Sequence, residues 1–113
     1  MEFMYSIIAI FGLTAILGMY LLSLVLRNKS TPKSVSFTHG LFAFTALILL
    51  SVYVFGHSPG PTSSLIVFIV AAMGGFILIY RDITGKSIPK WLAIGHGLIA
   101  VTGFVLLVLF ACA

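Results

Sequence analysis

Lys86-Ser87-Ile88-Pro89-Lys90-Trp91-Leu92-Ala93-Ile94-Gly95-His96-Gly97-Leu98-Ile99-Ala100-Val101-Thr102-Gly103 is a basic, proline-containing turn running into an apolar stretch. It carries a histidine between two glycines. The same string stands 57 residues earlier, from Lys29-Ser30-Thr31-Pro32-Lys33 through His39-Gly40-Leu41 to Ala46. Ungapped alignment of 29–50 with 86–107 gives identity at 11 of 22 columns. The Leu and Ala matches are cheap in so apolar a chain; the Lys, Pro, His and Gly matches are not. The chain therefore reads as one membrane domain made of two tandem helical hairpins, repeat 1 at residues 1–56 and repeat 2 at 57–113. The opening halves of the hairpins, 7–28 against 64–85, agree at only 4 of 22 columns.

Working outward, only 7% of the 113 residues are charged and 61% are hydrophobic, against about 25% charged in an average soluble chain. Mean hydropathy is +1.26. Four apolar segments follow one another, roughly Phe3–Leu26, Val35–Phe55, Ser64–Tyr80 and Trp91–Ala111. Each is close to the ~20 residues a helix needs to cross a bilayer. A spanning segment must satisfy its own backbone, and period-two alternation is absent, which selects helices over a barrel. The expected fold class is an all-α integral membrane protein, an up-down bundle of four transmembrane helices. The second and fourth helices would face each other diagonally, with a pseudo-two-fold axis along the membrane normal.

All six basic residues fall in two places: Arg27, Lys29 and Lys33 after the first segment, and Arg81, Lys86 and Lys90 after the third. By the positive-inside rule these loops face the cytoplasm. That gives a multi-pass protein whose N- and C-termini face outward, which is periplasmic if the membrane is a bacterial inner membrane. It also accounts for the net charge of +4 without a nucleic-acid partner. Cys112 is the single cysteine, so no intrachain disulfide forms. The first segment has Glu2 in place of a basic leader and reads as a retained span.

His39 lies six residues after Lys33 and His96 six after Lys90. At 1.5 Å per residue both sit about 9 Å into their helices, at one depth. Diagonal helices in such a bundle are spaced so that two imidazoles could ligate one haem b iron from opposite faces. His39 and His96 are then the metal ligands. Gly18, Gly75, Gly40 and Gly97 would give room for the macrocycle, and Lys33 and Lys90 would meet its propionates. Ligation by two imidazoles saturates the iron and suits electron transfer. The plain alternative is that each histidine only hydrogen-bonds a carbonyl or water. A Zn²⁺ or Cu²⁺ site is weaker, because two imidazoles leave coordination incomplete. His57 reads as a solvated loop residue, and Asp82 as an ion-pair partner of its neighbour Arg81 or a helix-end residue. No paired-carboxylate, phosphate-loop or nucleophile arrangement is present, so the chain reads as a carrier or accessory subunit more than as an enzyme.

With these motifs in hand, the chain resembles small bacterial inner-membrane proteins of four helices with a duplicated Lys-Pro-Lys…His-Gly hairpin. The resemblance implies localisation and architecture. The paired histidines are also similar in site geometry to b-type cytochromes. The leading expectation is a b-type cytochrome-like protein with haem between His39 and His96. The alternative is a cofactor-free accessory or assembly subunit packed against a larger membrane complex. Lipid is the expected surrounding partner; a homodimer, a quinone and a redox partner stay open.

Overall fold

A computed structural model describes all residues, Met1–Ala113. It contains four helices: α1 (Glu2–Leu26), α2 (Lys33–Gly56), α3 (Thr62–Ile83) and α4 (Lys90–Cys112). Each is long and apolar enough to cross a membrane. They form a four-helix bundle in which α1 packs on α2, α2 on α3, α3 on α4 and α4 on α1. The backbones of α1 and α3 therefore lie on one diagonal, and those of α2 and α4 on the other. One end of the bundle carries the two basic connections. The opposite end carries both termini and the Gly56–Pro61 connection.

The helices outrun the apolar segments by a few residues, most clearly in α3, which continues through Arg81-Asp82 to Ile83. Hydropathy falls at the first charge, whereas the backbone ladder stops only where a residue leaves helical geometry. At the basic end that residue is Asn28 (φ 57°) after α1 and Gly85 (φ 73°) after α3. Asn and Gly are the residues that enter the left-handed region at least cost. Each closes a Schellman cap. Lys29 N–H donates to the Leu24 carbonyl at 2.8 Å and Lys86 N–H to the Arg81 carbonyl at 2.9 Å. Pro32 and Pro89 then take near-identical extended conformations (φ −62°, ψ 128° and φ −63°, ψ 126°) as N-caps of α2 and α4. Residues 57 apart thus terminate and restart the chain in the same way.

The packed core lies toward the terminal end. Met4, Ile7 and Phe11 of α1 meet Ala46, Leu50 and Tyr53 of α2, Leu65 and Phe68 of α3, and Leu107 of α4. Phe11 and Phe68, again 57 apart, stack face to face across the bundle with ring centroids 4.0 Å apart. Leu50 and Leu107 are another such pair, and both are fully buried. Outside this core the bundle surface is apolar, with large side chains such as Ile16, Met19, Phe55 and Met73 exposed on all four helices.

Candidate functional site

Beyond the core, toward the basic end, the interior is built from small residues and two histidines. His39 of α2 places Nδ1 2.9 Å from the Thr14 carbonyl of α1. His96 of α4 places Nδ1 2.8 Å from the Ala71 carbonyl of α3. Both the histidines and the carbonyls are 57 residues apart. A carbonyl oxygen only accepts, so each Nδ1 carries the hydrogen and each Nε2 holds a lone pair. Neither Nε2 has a hydrogen-bond partner within the protein, and neither is a sealed-off buried atom.

The glycines explain how an imidazole reaches a carbonyl already inside a helical ladder. In an α-helix the oxygen of residue i points toward residue i+4. Thr14 is followed at that spacing by Gly18, and Ala71 by Gly75. A Cβ at Gly18 would stand 2.9 Å from His39 Cε1, and one at Gly75 would stand 3.1 Å from His96 Cε1. The absent side chains are the clearance through which the rings enter. In the sequence reading Gly18 and Gly75 give room for a macrocycle edge; in the structure the imidazoles lie in that clearance. Gly40 and Gly97 lie next to the histidines in the chain. A Cβ there would meet only Ile79 Cδ1 at 3.8 Å and Leu22 Cδ2 at 4.0 Å, on the α2·α3 and α1·α4 seams.

The structure brings the two rings together. Their centroids are 6.3 Å apart with planes at 81°. Both residues are half-buried. No third histidine, cysteine or carboxylate joins them, as no group of three or more such residues exists in the protein. A tetrahedral Zn²⁺ site needs three or four protein ligands. Two are present.

The charged residues depart further from expectation. Asp82 does not pair with Arg81; adjacent helical residues do not face each other. It reaches from α3 across the seam to Lys33 Nζ at 2.6 Å. It also accepts from Thr31 Oγ1 at 2.6 Å and from Ser36 Oγ at 2.8 Å. Lys33 is thereby engaged by Asp82. Arg81 instead donates through Nε to the Ser87 carbonyl at 2.6 Å. On the equivalent α1·α4 seam, the positions 57 away from Asp82, Thr31 and Ser36 hold Val25, Ile88 and Ala93. That seam is apolar, and Lys90, the counterpart of Lys33, is exposed without a partner. His57 is exposed at the C-cap of α2, where it stacks on Tyr53 at 3.9 Å and donates from Nδ1 to the Tyr53 carbonyl.

Comparison of the chain with protein-family models, with curated proteins and with solved structures finds no match. The functional reading rests on the geometry. Sequence reasoning missed Thr14 and Ala71, because they act through their backbones and their side chains carry no signal. The glycine four residues later is the trace they leave.

Proposed function

We propose that the protein is a multi-pass inner-membrane protein that holds one haem b between His39 and His96 and passes electrons near the cytoplasmic face. The observation that carries this reading is the pair of imidazoles, each anchored through Nδ1 and each with Nε2 free. A ring nitrogen bonds a metal at about 2.0–2.1 Å and lies about 1.1 Å from its ring centre, so linear ligation by two imidazoles spans about 6.3 Å between centroids. The observed separation is 6.3 Å. An imidazole that binds a metal through one nitrogen regularly donates the other N–H to a carbonyl, which fixes tautomer and ring orientation. Both rings have that second bond. A bare cation would lack ligands here, whereas a tetrapyrrole brings four nitrogens and asks the protein for two.

When bound, such a group supplies a one-electron couple with no open coordination position. The chain's own part is to orient and to seclude. The Thr14 and Ala71 carbonyls hold the rings, Gly18 and Gly75 let them approach, and stacked Phe11 and Phe68 close the terminal side.

Membrane insertion is part of the same proposal. The exposed apolar side chains suit lipid contact. Tyr20, Tyr80 and Trp91 are exposed near the basic end, where interfacial aromatics belong. The six basic residues at that end support cytoplasmic loops and periplasmic termini. The recurrent 57-residue offset supports two tandem hairpins related by a pseudo-two-fold axis along the membrane normal.

The test is an absorption spectrum of protein purified from membranes and reconstituted with hemin, oxidised and then reduced with dithionite. A low-spin spectrum with sharpened bands on reduction is expected. A visible region showing only free hemin refutes the haem reading and leaves the cofactor-free accessory subunit in its place.

A further inference from the structure

All six basic side chains lie at one end of the bundle, five of them exposed and Arg81 half-buried. The one carboxylate there, Asp82, is already bound by Lys33. Arg27 and Arg81 meet only oxygens of Ser23 and Ser87, and Lys86 lies over the Tyr80 ring, 5.0 Å from its centre. Contact with a neutral group leaves a cation its charge. Six cations less one carboxylate therefore give this end a net charge of +5. The opposite end has Glu2 and His57 and no Lys or Arg.

Apolar and aromatic surface begins beside these cations. Tyr20, Leu26, Tyr80, Ile83 and Trp91 are exposed, and Trp91 follows Lys90 directly in the first turn of α4. A soluble polyanion would meet the charges alone. A phospholipid meets both, with headgroup phosphate against the cations and acyl chains against the apolar side chains next to them. This attraction needs no pocket and no fixed spacing among the cations, because a membrane surface presents many anions within a Debye length of about 8–10 Å.

We propose that the basic end of the bundle selects anionic phospholipid from the leaflet around it, through the summed charge of its cations, and that the opposite end makes no such selection. This rests on membrane insertion and is independent of what His39 and His96 hold.

Trp91 is the single tryptophan and reports on the lipid at the basic end. The full-length protein is reconstituted into phosphatidylcholine vesicles containing brominated phosphatidylglycerol or, separately, brominated phosphatidylcholine, with the bromines high in the acyl chains. Quenching of Trp91 fluorescence gives the preference for one lipid over the other, whichever way the protein has inserted. At low salt phosphatidylglycerol should be favoured about two- to fivefold, the range for exposed ion pairs. In about 1 M salt, where the Debye length is about 3 Å, that preference should be lost. Lys29→Gln combined with Lys90→Gln should lower it at low salt to about half, and Lys29→Arg combined with Lys90→Arg should keep it. With the reporter moved to the far end, in Trp91→Phe combined with Tyr5→Trp, the two lipids should quench alike. Equal quenching of Trp91 by both lipids at low salt overturns the proposal while leaving membrane insertion standing. A preference that survives high salt or the double Gln variant overturns it too, as does an equal preference at the far end. If neither lipid quenches Trp91, membrane insertion fails and the proposal with it.

Discussion

Alanine at Gly18 or Gly75 tests the site at its narrowest point. The new Cβ would lie 2.9 Å from His39 Cε1 in the first case and 3.1 Å from His96 Cε1 in the second. Carbon atoms settle at about 3.5–4.0 Å, so the rings must retreat by at least about 0.6 and 0.4 Å. The rings are not loose ends, because each is pinned by its Nδ1 bond of 2.9 or 2.8 Å. A retreat of that size along the bond would carry donor and acceptor to about 3.2–3.5 Å, at or beyond the ordinary limit for N–H···O. Overpacking of this kind costs about 1–3 kcal/mol. Disturbing the outer hydrogen bond of a metal-bound histidine weakens metal binding by about 10- to 100-fold. Gly12 and Gly95 provide the controls, since a Cβ at either meets nothing within 4 Å. Alanine there should be neutral or stabilising, by up to about 1 kcal/mol from helix propensity. Each variant is purified, its melting temperature measured, and its hemin affinity read from the absorption band. The expected order of damage is Gly18→Ala, then Gly75→Ala, then no loss at Gly12 or Gly95. If Gly18→Ala and Gly75→Ala bind hemin and melt like the controls, the clearance argument is wrong and the glycines only allow the helices to pack.

His39→Ala and His96→Ala should lose hemin to a similar degree, each removing one axial bond, while His57→Ala leaves the spectrum unchanged; unequal effects at 39 and 96 would count against paired ligation. Asp82→Asn removes the charge facing Lys33 and weakens the bonds from Thr31 and Ser36, so it should lower stability by about 1–3 kcal/mol, measured by thermal melting in detergent. Val25→Ala, at the equivalent position of the other seam, should cost less. A reporter fused after Ala113 should be active in the periplasm, because the six basic residues lie at the opposite end; cytoplasmic activity would invert the orientation.

The number of helices and their diagonal arrangement were legible because apolar runs of about 20 residues and short loops leave few alternatives. The meeting of His39 and His96 was legible for a related reason: equal depth on two diagonal helices already directs both rings to one place. What escaped was anything decided by single side chains between helices. Asp82 lies 46 to 51 residues from Ser36, Lys33 and Thr31, and nothing local to it announces a partner across the seam. The copies differ at these positions, Ser36 against Ala93 and Asp82 against Val25, but they differ at many others too, so the mismatch singles out no pair. Gly18 and Gly75 were recognised as making room, yet sequence cannot tell what fills it, because an absent side chain has no direction.

The placement of the apolar core has a mechanical consequence. Nine close-packed residues clamp the four helices near the termini, while the other half is spanned by two imidazoles, glycines and one polar cluster. Phe11 and Phe68 stack at the inner limit of this packed half. From Phe11 to the end of α1 is 15 residues, about 22 Å at 1.5 Å per residue, so a tilt of about 5° at Phe11 moves the tip about 2 Å. The α2·α3 seam is joined by the Asp82 cluster, and the α1·α4 seam is held by side-chain packing. A small change of tilt in the packed half is therefore enlarged by helix length at the basic end.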